Sequence, residues 1–292
     1  MVRINPIFLR EMRLRVRNSK FGISIFCFNL IMIIITLFAF EMKFNVNINE
    51  NIDYSGVYDL FNIMVFIETL MVIFMVPSLT SISISSEREK QTLDILLSTG
   101  VNSYSIIIAK LAESISVIFI YVMSSLPIIA LVFTIGGITG IMLFKFIIEI
   151  FVTSVFFGSL GVLSSVITKK NMTSVILTFA FVFFFCLISF GIIIGVDMLN
   201  SFFGEGSGFF HFLTEYTSYI LTLNPIFDLI IVLSGQNYNN SLFEFFMKYV
   251  NVSETALNNW MTISVSVRLF FSAIIIIISQ RQLKVVKGRQ KS

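Results

Sequence analysis

The chain has 292 residues, 56% of them hydrophobic and 13% charged, with a mean hydropathy of +0.92. That composition excludes a water-soluble globular domain and points to a protein whose solvent is largely lipid. The formal net charge of +3 is small, and its distribution along the chain reports topology rather than nucleic-acid binding.

Residues 1–20 precede the first long apolar run. Asn5 is placed to cap a short helix, and Pro6 suits its first turn. Ile4, Ile7, Phe8 and Met12 recur at three- and four-residue spacing, with Arg10, Glu11, Arg13, Arg15 and Arg17 over the remaining sides. The pattern predicts an amphipathic helix lying at the membrane surface. A bilayer core is crossed by about 20 apolar residues in a helix, and runs of that kind fall at 21–40, 61–84, 106–133, 144–167, 175–196 and 261–279. Stretches such as Phe181 to Phe185 do not alternate, which argues against barrel strands. The fold class expected is an all-α integral membrane protein with six spans.

Basic residues set the orientation. Arg3, Arg10, Arg13, Arg15, Arg17 and Lys20 precede the first span. Arg88 and Lys90 follow the second, Lys169 and Lys170 the fourth, and a tail at 280–292 carries Arg281, Lys284, Lys287, Arg289 and Lys291. The opposite side has Lys43, Lys145 and Lys248 among acids that include Glu50, Asp53, Asp59, Glu205 and Glu244. Both termini are expected in the cytosol, the tail against lipid headgroups. No cleavable signal peptide is evident. Cys27 and Cys186 both fall in spans and are expected to be buried apolar residues.

The loop after the second span is predicted to be helical over 86–99. Ser86 and Glu89 have the spacing of a capping box, and Gly100 is placed to end the helix. Leu93, Leu96 and Leu97 share one side, open either to the protein's own helices or to a partner. Glu87, Arg88 and Glu89 are expected to meet a partner, because opposed charges tolerate desolvation against complementary ones. The segment 199–259 is too apolar for a linker. Its break at Asn224 and Pro225 leaves pieces too short to span, predicting external or re-entrant helices.

Glu68, Glu149 and Arg268 are charges set well inside spans. Such groups require pairing or an aqueous cavity, so an Arg–Glu pair pinning helices is expected, with a substrate-lined vestibule as the alternative. Lys110 and Glu113 are expected to pair locally or to extend toward the headgroups. Gly158 and Gly161, with Ser154, Ser164 and Ser165, form a small-residue side suited to close helix packing. His211 is the single histidine, so a two-histidine metal site is excluded, and no phosphate-cradling Gly-x-x-x-x-Gly-Lys-Ser/Thr sequence occurs. Nothing in the sequence nominates a catalytic residue, a cofactor or a metal ligand.

The run Asn5-Pro6-Ile7-Phe8-Leu9-Arg10-Glu11-Met12-Arg13 and the loop Glu87-Arg88-Glu89-Lys90-Gln91-Thr92-Leu93-Asp94-Ile95-Leu96-Leu97 resemble the membrane subunits of bacterial type-2 ABC transporters. The loop is similar to that family's Glu-Arg-Glu-x-x-Thr-Leu-(Asp/Glu)-x-Leu-Leu signature, and Lys110 stands where the family commonly has a lysine re-entering the membrane. The resemblance implies an exporter permease in the bacterial cell membrane, with residues 87–97 as a coupling helix seated on a cytosolic ATPase. It makes residues 4–18 an elbow helix. It also implies two ATPase subunits, which carry ATP and Mg, and a second permease chain, identical or related. It assigns no role to Glu68, Glu149 or Arg268. A membrane scaffold that recruits a cytosolic protein, or an ion-driven transporter built on an inverted repeat, are the competing readings. No convincing repeat relates 1–140 to 141–292.

Overall fold

A computed structural model describes residues 6–44, 54–98, 101–135, 139–203, 219–234 and 259–289. Asn5, the loop 45–53, Gly100, the glycines at 136 and 137, and most of the segment 199–259, His211 included, lie outside the described residues. Ten α-helices and one 3-10 turn make up what is described. They are α1 (Pro6–Val16), α2 (Ser19–Phe44), α3 (Tyr54–Ser81), α4 (Ser85–Glu89), α5 (Leu93–Ser98) and α6 (Ser103–Ile135). After these come α7 (Gly140–Ile167), α8 (Asn171–Phe203), the 3-10 turn Tyr219–Leu223, α9 (Pro225–Ser234) and α10 (Trp260–Arg289).

Six of these helices (α2, α3, α6, α7, α8 and α10) are long and apolar enough to cross a membrane. The protein is an all-α, multi-pass membrane protein. With 33 residues each, α6 and α8 reach about 50 Å at 1.5 Å per residue, well beyond a hydrocarbon core of about 30 Å. Their ends therefore stand outside the apolar layer.

Helix α7 occupies the centre. In its most apolar stretch 72% of the residues are buried, against 17% in α2 and 22% in α8 and α10. Small residues let its neighbours close in. A Cβ added at Gly161 would lie 2.8 Å from Thr80 Cβ and 3.2 Å from the Ser81 amide nitrogen of α3, and one at Gly158 would lie 2.8 Å from Leu111 Cδ1 of α6. Interhelix packing in lipid depends on such close approach rather than on expulsion of water. The hydroxyls of Ser154, Ser159 and Ser164 donate to carbonyls three or four residues back in α7, which satisfies polar groups that hydrocarbon would leave bare.

One apolar core joins α3, α6, α7, α8, α9 and α10 around Phe61, Phe146, Phe156 and Phe157. A second gathers at the end of the bundle that holds α1, α4 and α5. There Ile7, Ile84, Leu93, Leu97, Ile107, Val166 and Leu283 pack together, so the two leucines turn onto the protein's own helices. On α2 a third, smaller group sets Phe28 and Met32 against Val117 and Tyr121 of α6, while Ile23, Phe26, Leu37 and Phe38 stay exposed. Cys27 is exposed on the same helix. Its expected burial is corrected, because α2 lies at the rim and keeps only one side against the bundle.

The loop after α3 also departs from expectation. It forms two short helices instead of one over 86–99, with Gln91 between them at a φ of 58°, a left-handed conformation that ends the first helix. Ser86 does not cap it. Ile84 holds the cap position, and Ser165 Oγ of α7 accepts the amide hydrogens of Ile84 and Ser85, both at 2.8 Å.

Candidate functional site

The first polar constellation lies at the end of the bundle built from α1, α4, α5 and the termini of α6, α7 and α8. Glu87, Arg88 and Glu89 occupy successive positions of α4 and point in different directions, as a 100° step per residue requires. All three turn onto the protein itself. Arg88 reaches the end of α7, donating from Nη1 to the Thr168 carbonyl at 2.5 Å and from Nη2 to the Val166 carbonyl at 3.0 Å. The last carbonyls of a helix lack intrahelical partners and carry partial negative charge, which a guanidinium satisfies. Glu89 does the converse for α8, accepting from the Asn171 backbone N–H and from its Nδ2, both at 2.7 Å. One side chain thus closes the end of α7, and its neighbour closes the start of α8.

Glu87 joins this junction to α6 and α1. Its Oε2 accepts from Thr92 Oγ1 at 2.6 Å, and its Oε1 lies 3.3 Å from Lys110 Nζ. The same nitrogen lies 3.3 Å from Glu11 Oε1 of α1, so Lys110 links α6 to both elements. Glu113 binds Arg15 of α1, with Oε1 at 2.9 Å from Nε and 2.8 Å from Nη2. The expected local Lys110–Glu113 pair is therefore corrected: each residue uses a partner on another helix. Arg10 pairs with Glu11 at 2.7 Å. Burial works to raise the Glu11 carboxyl, but hydrogen bonds and charge from Arg10 and Lys110 outweigh it and hold its pKa below the ordinary value.

Glu89 stays exposed while making its bonds to Asn171, and further exposed residues surround it. Lys90, Gln91, Asp94, Ile95 and Ser98 are exposed, together with Pro6, Arg10 and Arg13 of α1, and Ile95 exposes 66% of its surface. Leu93 and Leu97 are buried and Leu96 and Thr92 half-buried. Within the chain Glu87 and Arg88 are half-buried and Glu89 is exposed, and each already has an intrachain partner.

The second constellation lies at the other end of α7. Arg268 of α10 is fully buried. Its Nη1 donates to Glu149 Oε1 at 2.5 Å and to Thr153 Oγ1 at 3.1 Å, and its Nη2 donates to Glu149 Oε2 at 2.7 Å. This is the bidentate geometry that favours arginine over lysine. The same Nη2 also donates to Asp228 Oδ2 of α9. The structure brings Glu149 and Arg268 together as expected for a helix-pinning pair, and adds Asp228. Glu68 stands apart: it is fully buried on α3 and accepts from Ser125 Oγ of α6 at 2.5 Å, with no contact to Arg268.

Asp228 escaped the sequence reading because it belongs to the segment 199–259, read only as external helices. A signal was present. Asp228 is the lone acid in the apolar run Pro225-Ile226-Phe227-Asp228-Leu229-Ile230, and such a residue implies a buried cation elsewhere. Local chemistry positions it: Asn224 Oδ1 accepts the Ile226 N–H at 3.0 Å, capping α9 just before Pro225.

Fold and polar network define a helical membrane protein whose charged side chains brace helices against one another. A family model described as "ABC-2 family transporter protein" matches residues 6–279, nearly the whole described chain, and the protein belongs to that family of transporter membrane components. No curated protein matches the chain in a sequence search.

Proposed function

We propose that this chain is the permease of an ATP-binding cassette exporter. It forms the membrane path and draws its work from a separate ATPase that binds at the end holding α1, α4 and α5. Family membership supports a transport role. The observation that carries the coupling role is α5, a short helix with Leu93 and Leu97 anchored in the bundle and Asp94 and Ile95 exposed. An exposed isoleucine on a polar membrane flank, between Lys90 and Asp94 on one side and Ser98 on the other, suits a small apolar pocket with a charged rim. In this reading Lys90, Gln91, Asp94 and Ile95 touch the ATPase, while Glu87, Arg88 and Glu89 pass its movement to α6, α7 and α8.

The working unit is two permeases, identical or related, with two ATPase subunits that carry ATP and Mg. The basic residues of α1, the α4 region and the end of α10 orient this end to the cytosol of a bacterial cell membrane. Cysteine labelling tests that orientation: Asn49 and Gln236 react from outside, Ser98 and Lys287 from inside. Co-expression with a soluble ATPase tests the partnership. Hydrolysis is expected only in the complex, with transport in reconstituted vesicles. ATP turnover by the pure chain overturns the reading.

A further inference from the structure

Two carboxyl groups and one guanidinium meet where α7, α9 and α10 converge. Glu149, Asp228 and Arg268 are each fully buried. Arg268 Nη2 serves both acids, so the Asp228 and Glu149 carboxyls share one nitrogen. If every group were ionised the cluster would hold one uncompensated negative charge away from solvent, which burial strongly disfavours. Two carboxylates set on one guanidinium nitrogen resist joint ionisation, and one of them retains a proton. Asp228 Oδ1 is also left without a hydrogen-bond partner in a fully buried position.

Among the described residues no neighbouring charge relieves the imbalance. On α7, Lys145 lies one turn away, toward Gly140, and is partly exposed. Helix α3, packed on α7 and α9, carries Asp59 and Glu68, and Glu68 turns to Ser125 of α6. The 3-10 turn offers the hydroxyls of Tyr219 and Thr222 and no charge, and α8 has Asp197 as its single charged residue after Asn171. On α6, Lys110 and Glu113 are engaged with α1 and α4 at the far end of the bundle. On α10 the remaining charges, from Arg281 onward, begin more than three turns beyond Arg268.

We propose that the Glu149–Asp228–Arg268 triad is a proton-binding site, in which the two carboxyls share one exchangeable proton and the cluster is neutral. The proton comes from water and returns to it, with no other bond made or broken. The inference rests on the triad alone and not on the assignment of an ATPase partner.

Infrared spectroscopy of the full chain in lipid nanodiscs tests it, in a Glu68→Gln background that removes the buried acid held by Ser125 rather than by a cation. A carboxylic-acid carbonyl band equivalent to one group per chain is expected at neutral pH, shifting in deuterated water and titrating away as pH rises. Asp228→Asn and Glu149→Gln, each introduced alone, remove the band, since one carboxylate then balances one guanidinium. The amide band reports whether each variant remains helical. Absence of the carboxylic-acid band from the Glu68→Gln protein overturns the proposal, and that result does not depend on the folding of a triad variant. Persistence of the band in both helical triad variants overturns it equally.

Discussion

Replacing Arg268 by methionine removes the charge that α7 and α9 share, while keeping most of the side-chain volume. Lost with it are both donations to Glu149, the one to Thr153 and the one to Asp228. The buried acids keep their desolvation cost and lose their counterion. Breaking a buried ion pair from one side costs about 3–5 kcal/mol, a shift of two to nearly four orders of magnitude in the folding equilibrium. Against a total stability of about 5–15 kcal/mol this is a large share. The assay is reversible unfolding in mixed micelles, followed by circular dichroism. Arg268→Met combined with Glu149→Gln and Asp228→Asn should recover part of the loss, because no bare charge remains. A single variant within about 0.5 kcal/mol of the parent, or a combined variant whose loss equals the sum of the single ones, would show that the three groups do not act together.

Helix packing predicts a gradient across three glycines. Gly161→Ala, which presses on Thr80 and on the Ser81 backbone, should cost about 1–3 kcal/mol. Gly158→Ala should cost less because it meets the flexible end of Leu111, and Gly191→Ala, with nothing within 4 Å, should be neutral or stabilising. Unfolding midpoints rank them, and equal effects would refute the α3–α7 contact. Glu11 supplies a pH dependence: its depressed pKa adds stability that is present above the ordinary carboxylate value and lost as pH falls through the lower folded value. Amide exchange in α1 should therefore rise on acidification beyond its intrinsic rate, and Glu11→Gln should abolish that excess. Ile95→Glu should weaken ATPase co-purification at least tenfold with an unchanged unfolding midpoint, whereas Arg88→Ala should lower the midpoint itself. Equal binding by the Ile95 variant would exclude α5 as the docking surface.

The six apolar helices were legible because lipid imposes a length and a composition that few other constraints obscure. The destination of polar groups was less so. The pairing of Glu149 with Arg268 could be anticipated from their shared depth, since buried opposite charges seek each other. Glu68 could not be separated from them, because depth says nothing of which way a helix is rotated, and it turned out to face Ser125. The intrachain partners of Arg88 and Glu89 were hidden for a related reason. Both meet backbone groups at the ends of α7 and α8, which every helix possesses and no residue type announces. Likewise Ser165 caps α4 from 80 residues away, where a local search finds only Ser86 and Glu89.

The left-handed residue Gln91 sets α4 and α5 as two short arms with a fixed corner between them. One arm is fastened to the ends of three long helices: to α7 through Arg88, to α8 through Glu89 and to α6 through Glu87 and Lys110. The other presents Ile95 to its surroundings. In the proposed coupling, a force applied to α5 is not absorbed by bending one rod: the corner and the buried Leu93 and Leu97 pass it to a three-way joint. In that coupling, movement at the joint alters the spacing of the α6, α7 and α8 axes together, and α7 is the helix that links it to Glu149.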